Sequence, residues 1–227
     1  MAVTFSPAVP SNPNSFSNSA TFTLTMSGVV SGQPIIIAGY DGYCDFNGLS
    51  PSFSDNFATP YTYTPVVEAF NTNSPSSVAL YIATGGAGTS GTITLTINPY
   101  CYNFLYAVAC SGASTLNGAN AIDQSGILLS NGTTQNSPSL TPTYANEGAV
   151  YTLVSLGETV SSSPGSPWVV SSQPGFASIA TYSNPTNGSA LSTSWVTTPT
   201  IQYATAGLII HAAGYTPPTS GLMASLI

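Results

Sequence analysis

Few side chains in this chain could do chemistry. Its 227 residues contain seven carboxylates (Asp41, Asp45, Asp55, Glu68, Asp123, Glu147 and Glu158), one histidine (His211), three cysteines (Cys44, Cys101 and Cys110), and no lysine or arginine. A histidine base needs a hydroxyl or thiol within hydrogen-bond reach and a third group to orient its ring. The stretch Leu208-Ile209-Ile210-His211-Ala212-Ala213 marks neither, and no G-x-S-x-G elbow occurs. His211 therefore reads as a strand residue satisfied by a backbone partner. Hydrolysis by a carboxylate pair needs two acids at a set separation, and Glu68, Glu147 and Glu158 are too scattered to single out a pair. The chain reads as a non-enzyme without a cofactor.

Metal chemistry has one weak candidate, the loop containing Asp41, Asp45 and Asn47, with Asp55 beyond it. Calcium wants several oxygens from one loop. Yet Tyr43 and Phe46 stand where an EF-hand places an acid and its turn glycine, and Asp and Asn capping ordinary turns account for the same residues. No cysteine or histidine spacing fits zinc. Three cysteines allow one disulfide. Cys101 and Cys110 are separated by a nearly extended segment that would hold them up to ~30 Å apart, beyond disulfide reach. If a bridge exists, Cys44 with Cys101 is the pair chosen as the candidate, the rival being three free buried thiols. Asn131-Gly132-Thr133 and Asn187-Gly188-Ser189 are N-glycosylation sequons, whereas Asn184-Pro185-Thr186 is blocked by its proline.

The missing cations exclude whole classes of partner. Nucleic-acid affinity comes from Lys and Arg displacing counterions from phosphates, so no nucleic-acid partner is expected. Anionic membrane surfaces and phosphate-binding loops are excluded with it. No apolar run approaches the ~20 residues of a membrane span, and no membrane insertion is expected. Residues 1–20 have neither the basic region nor the apolar core of a secretory signal. The chain either leaves the cell without one or has lost it. Below about pH 3 most carboxylates are neutral, and a protein of ordinary Lys and Arg content becomes a self-repelling polycation. This chain would sit near zero charge instead. Acid tolerance and resistance to trypsin-like proteases both explain the composition, and both place the protein outside a cell.

The elements are strands. Thr21 to Met26 and Thr92 to Ile97 alternate apolar and polar residues, as half-buried strands do, while Ile35-Ile36-Ile37 is a solid run bracketed by Pro34 and Gly39. Further strands are expected at 66–70, 78–83, 104–110, 126–129, 148–156, 168–170, 177–182, 194–196 and 207–212. About a dozen strands between turn residues predict an all-β fold of two packed antiparallel sheets. A single sandwich is expected over 20–213, flanked by an N-terminal arm, 1–19, and an apolar C-terminal tail, 214–227, which could fray or be lent to a neighbouring subunit.

The succession Ile35-Ile36-Ile37-Ala38-Gly39-Tyr40, Val78 to Ala83, Gly91 to Ile97, Tyr106 to Gly112 and Ala121-Ile122-Asp123 resembles a jelly-roll module common in phage, bacterial and archaeal surface proteins. Ser166-Pro167-Trp168, Ile179 to Tyr182 and Thr193-Ser194-Trp195 are similar to its second half. The resemblance implies an antiparallel jelly-roll β-sandwich with a structural or adhesive role. With the absent charge, the chain most resembles the external vertex and turret proteins of turreted icosahedral archaeal viruses from hot acid. The likeness to the extracellular filaments of acidophilic archaea is looser. Three functions follow as expectations: a virion-exterior structural subunit assembling with itself and other structural subunits; a secreted filament or surface-layer subunit joined by strand donation; and an adhesin whose tyrosines stack on host surface glycans.

Overall fold

A computed structural model describes residues 1–7, 9–10, 21–41, 45–46, 48, 50–72, 76–97, 103–155, 159–162, 164–173 and 177–217. The alternating segments form its outer sheet: β3 (Thr21–Ser27), β5 (Ser52–Asp55) and β8 (Ser90–Thr96), in the order β3-β8-β5. Phe22, Leu24 and Met26 point inward while Thr21, Thr23 and Thr25 face water, as the two-residue period of a strand requires. The continuous apolar runs form a central sheet. It comprises β4 (Ile35–Asp41), β6 (Thr62–Asn71), β7 (Ser76–Thr84) and β9 (Asn103–Ser111) in the order β9-β4-β7-β6, with the short β1 (Thr4–Phe5) and β2 (Val9–Pro10) paired to β9. Every residue of β4 and β7 is buried.

A strand buried along its whole length needs cover on both faces. Ile35 and Ile37 pack with Phe22, Leu24, Ile93 and Leu95 of the outer sheet. Ile36, Ala38 and Tyr40 pack the other way, against Val150, Ala204, Ala206 and Leu208. These last belong to a third, far sheet built from β10 (Ile122–Asn136), β11 (Gly148–Ser155), β13 (Val169–Gln173), β14 (Ala177–Ser183) and β15 (Ser194–Ile210). Its order is β10-β15-β11-β14-β13, with β12 (Thr159–Ser162) also on β15. All pairings in the three sheets are antiparallel.

The fold is thus an all-β sandwich, as the sequence indicates, but with three layers where two are expected. A further apolar cluster covers the outside of the far sheet, where Tyr151, Leu153, Trp195 and Ile209 lie with Trp168 and Leu140. Glycines let rings approach the backbone. A Cβ at Gly39 would stand 2.3 Å from the Phe46 ring, and one at Gly207 would stand 2.4 Å from the Tyr151 ring.

Two expectations change here. The start of the expected arm is part of the fold, since Val3 is fully buried, its N–H reaches the Asn146 carbonyl at 2.8 Å, and Phe5 packs on the core. The strands expected at 194–196 and 207–212 are one 17-residue strand, β15. The end of the C-terminal tail, 218–227, lies outside the described residues. No helix among the described residues is long and apolar enough to cross a membrane.

Candidate functional site

Among the described residues, the strongest concentration of reactive groups lies where one end of β10, β11 and β15 meets. Asp123 is the second residue of β10, where the pairing shifts register between Ile122 and Gln124. Such a bulge re-aims a side chain. Glu147 immediately precedes β11, in a turn that places Asn146 at a left-handed φ of 67°. His211 follows the last residue of β15. Its backbone is satisfied as expected, the N–H donating to the Ala121 carbonyl at 2.9 Å and the carbonyl accepting from Ser114 N–H at 2.7 Å.

Its side chain is engaged differently from the sequence expectation. Nδ1 lies 2.7 Å from Glu147 Oε1, with His211 3% exposed and Glu147 fully buried. The second oxygen of each acid takes a backbone donor: Tyr144 N–H to Glu147 Oε2 at 3.1 Å, and Thr143 N–H to Asp123 Oδ2 at 2.9 Å. One ligand atom from each of Asp123, Glu147 and His211 falls within 4.8 Å of the others. A buried carboxylate is costly unless paired, and the imidazole and the turn N–H supply that pairing.

Aromatic rings roof the cluster. Tyr215 lies over the His211 imidazole with ring centroids 3.5 Å apart and planes 18° from parallel, while Tyr144 meets the imidazole nearly edge-on at 5.4 Å. Partial desolvation, then Tyr144, then the negative charge of Asp123 and Glu147, push the Tyr215 phenol above its ordinary range. Beside the rings opens a pocket of about 210 Å³, lined by Tyr144, Asn146, His211 and Tyr215 among others.

This arrangement can hold a proton between imidazole and carboxylate, or hold a cation. It is half of a nucleophilic triad without the other half. Among the described residues no serine, threonine or cysteine side chain is hydrogen-bonded to His211, and Tyr215 lies flat over the ring rather than in its plane.

The other predicted residues that the structure describes are placed apart from this site. Asp55 is used by its own turn: Oδ1 accepts Phe57 N–H at 3.0 Å, and Oδ2 accepts Tyr61 N–H at 2.9 Å and the Tyr63 hydroxyl at 2.7 Å. Asp45 Oδ1 accepts Gly48 N–H at 3.1 Å, a turn cap, and Asp41 is buried at the end of β4. The structure does not bring Asp41, Asp45 and Asp55 to one point. Asn47, Cys44 and Cys101 lie outside the described residues. Cys110 is a free thiol buried in the core, where desolvation pushes its pKa up. Asn131 and Asn187 are exposed, the first on β10 and the second in the turn after β14.

Comparison with protein-family models, curated proteins and solved structures found no match. The sequence reading missed Glu147 as the histidine's partner because the two are 64 positions apart. The one usable signal was scarcity, since a chain that has shed nearly all its charge keeps few groups that are not placed for a reason.

Proposed function

We propose that this chain is a non-catalytic structural subunit of a virion exterior, of the capsid vertex or turret type, with a jelly-roll-like sandwich suited to hot, acidic surroundings. One observation carries the reading. Three sheets cohere through two apolar interfaces and neutral hydroxyl bonds, in a chain whose only groups able to become cationic are His211 and the amino terminus. Acidification takes such a molecule from its formal charge of −7 toward neutrality without building up repulsive positive charge.

Assembly with copies of itself and with other structural subunits would use the same neutral forces. β10 supports this, because it is the terminal strand of the far sheet and exposes Ile127 (45%) and Leu129 (42%). Between Gly126 and Gly132 it has none of the lysines or prolines that commonly blunt an edge. The same edge favours a second reading, a secreted filament or surface-layer subunit that receives a donated strand. An adhesin for host glycans is a third reading, favoured by exposed Tyr144 beside the pocket.

Electron microscopy of native assemblies labelled with an antibody to the chain tests the proposal. Label on the outer surface of closed particles is the expected result. Label confined to open fibres would replace the virion reading with the filament, and label on neither would remove both. Binding on a glycan array at acid pH would promote the adhesin.

A further inference from the structure

We propose that Asp123, Glu147 and His211 bind one divalent transition-metal ion of the zinc class at the shared end of β10, β11 and β15. Asp123 comes from β10, Glu147 from the residue before β11 and His211 from the residue after β15, three adjacent strands, and the donor atoms already lie within 4.8 Å of one another. One oxygen of each carboxylate is fixed by a backbone N–H, from Thr143 for Asp123 and from Tyr144 for Glu147, and the other Glu147 oxygen meets the imidazole. Outer hydrogen bonds of this kind orient metal ligands. One imidazole nitrogen with two carboxylate oxygens suits zinc and its neighbours better than calcium or magnesium, which prefer all-oxygen shells.

Scarcity adds weight independently of geometry. The only histidine of the chain and two of its seven acids converge here, in a molecule that otherwise dispenses with charge. The pocket beside Tyr144 and Tyr215 is lined by His211, so open space adjoins one of the three ligands, and a water or an external ligand would complete the shell. Ligand atoms about 2.0 to 2.2 Å from a tetrahedral ion stand about 3.3 Å from one another. The Nδ1 to Oε1 separation of 2.7 Å would therefore open by roughly 0.6 Å. The proton shared by those two atoms leaves to solvent as the ion enters.

The test is calorimetric titration of the chelator-treated full chain with zinc at neutral pH, together with the visible spectrum of its cobalt complex. The expected result is one ion per chain, a cobalt spectrum without a thiolate band, and a melting temperature raised by zinc. H211A, E147Q and D123N, each removing a direct ligand, should each weaken binding by more than the roughly 10- to 100-fold typical of losing an outer hydrogen-bond partner, while D45N leaves it unchanged. Asp123 is only half-buried, and the side-chain amide that D123N introduces would keep an acceptor for Thr143 N–H, so D123N serves as the folded variant should H211A not fold. No binding at millimolar zinc would overturn the proposal and leave the cluster as an ion-pair clamp. Binding that survives D123N, or that is lost in D45N, would also overturn it.

Discussion

The two faces of the central sheet are sealed in different ways. Toward the outer sheet the contact is hydrocarbon and rings: Ile35, Ile37 and Leu105 meet Leu24, Ile93 and Leu95, and Phe53 stacks on Tyr63 with centroids 5.0 Å apart. Its polar groups sit at the periphery, where Asp55 collects the Tyr63 hydroxyl and Tyr61 donates to the Gln33 carbonyl at 3.1 Å. Toward the far sheet a polar bridge lies inside the interface. The Tyr40 hydroxyl, fully buried, bonds to the Thr152 hydroxyl and lies 3.2 Å from the Ser178 carbonyl, to which the Thr152 hydroxyl also donates at 3.1 Å. A purely apolar contact tolerates sliding, whereas a buried hydroxyl has one position in which it is satisfied. The first face supplies cohesion, and the second also fixes how the sheets sit.

The largest effect expected on this contrast comes from Leu24→Ala. Removing a buried leucine from the apolar face should cost about 2–5 kcal/mol in urea unfolding. A value under about 1 kcal/mol would mean that the outer sheet adds little to the core. Tyr40→Phe should cost less, about 0.5–1.5 kcal/mol, the worth of the lost bond, because the Thr152 hydroxyl keeps the Ser178 carbonyl as its acceptor at 3.1 Å. A neutral result would show that the bridge is no constraint.

Alkaline pH probes both faces together. Burial is the first cause raising the phenols of Tyr63 and Tyr81 beside the outer sheet, and of Tyr40, Tyr106 and Tyr151 beside or within the far sheet. Folded pKa values above the unfolded value of about 10 give stability that is fully present below pH 10 and lost as pH rises beyond it. Thermal melts should therefore fall steeply above pH 10, while acid adaptation expects most of the stability to be kept at pH 2. A large loss at pH 2 would reject acid adaptation.

Cys110 should resist alkylation at pH 8 until denaturant is added, read on chymotryptic peptides because trypsin has no site. Thr25→Ala, which removes one member of the exposed Thr25–Thr92 hydroxyl pair, should change stability by no more than about 0.5 kcal/mol.

Much of the fold is legible in local pattern. The alternation at Thr21 to Met26 and Thr92 to Ile97 marks half-buried strands, and the solid runs at Ile35 and Val78 mark strands covered on both sides. The solid runs already carried the third layer, since a two-sheet sandwich leaves one face of each sheet to water. The length of β15 was less legible. Only its two ends, 194–196 and 207–212, read as strand, whereas β10, β11 and β12 pair along it and carry it through. The short β1 and β2 lack any local signal and exist because β9 offers them an edge.

The candidate site divides along the same line. Composition alone established that this molecule coheres without cations, because no folding can supply a lysine or arginine that the chain lacks. Only the tertiary structure set Asp123, Glu147 and His211 side by side. They lie on or beside the ends of three different strands, and the distances that decide their chemistry are set by sheet pairing between residues far apart in the chain, which no local pattern of residue types encodes.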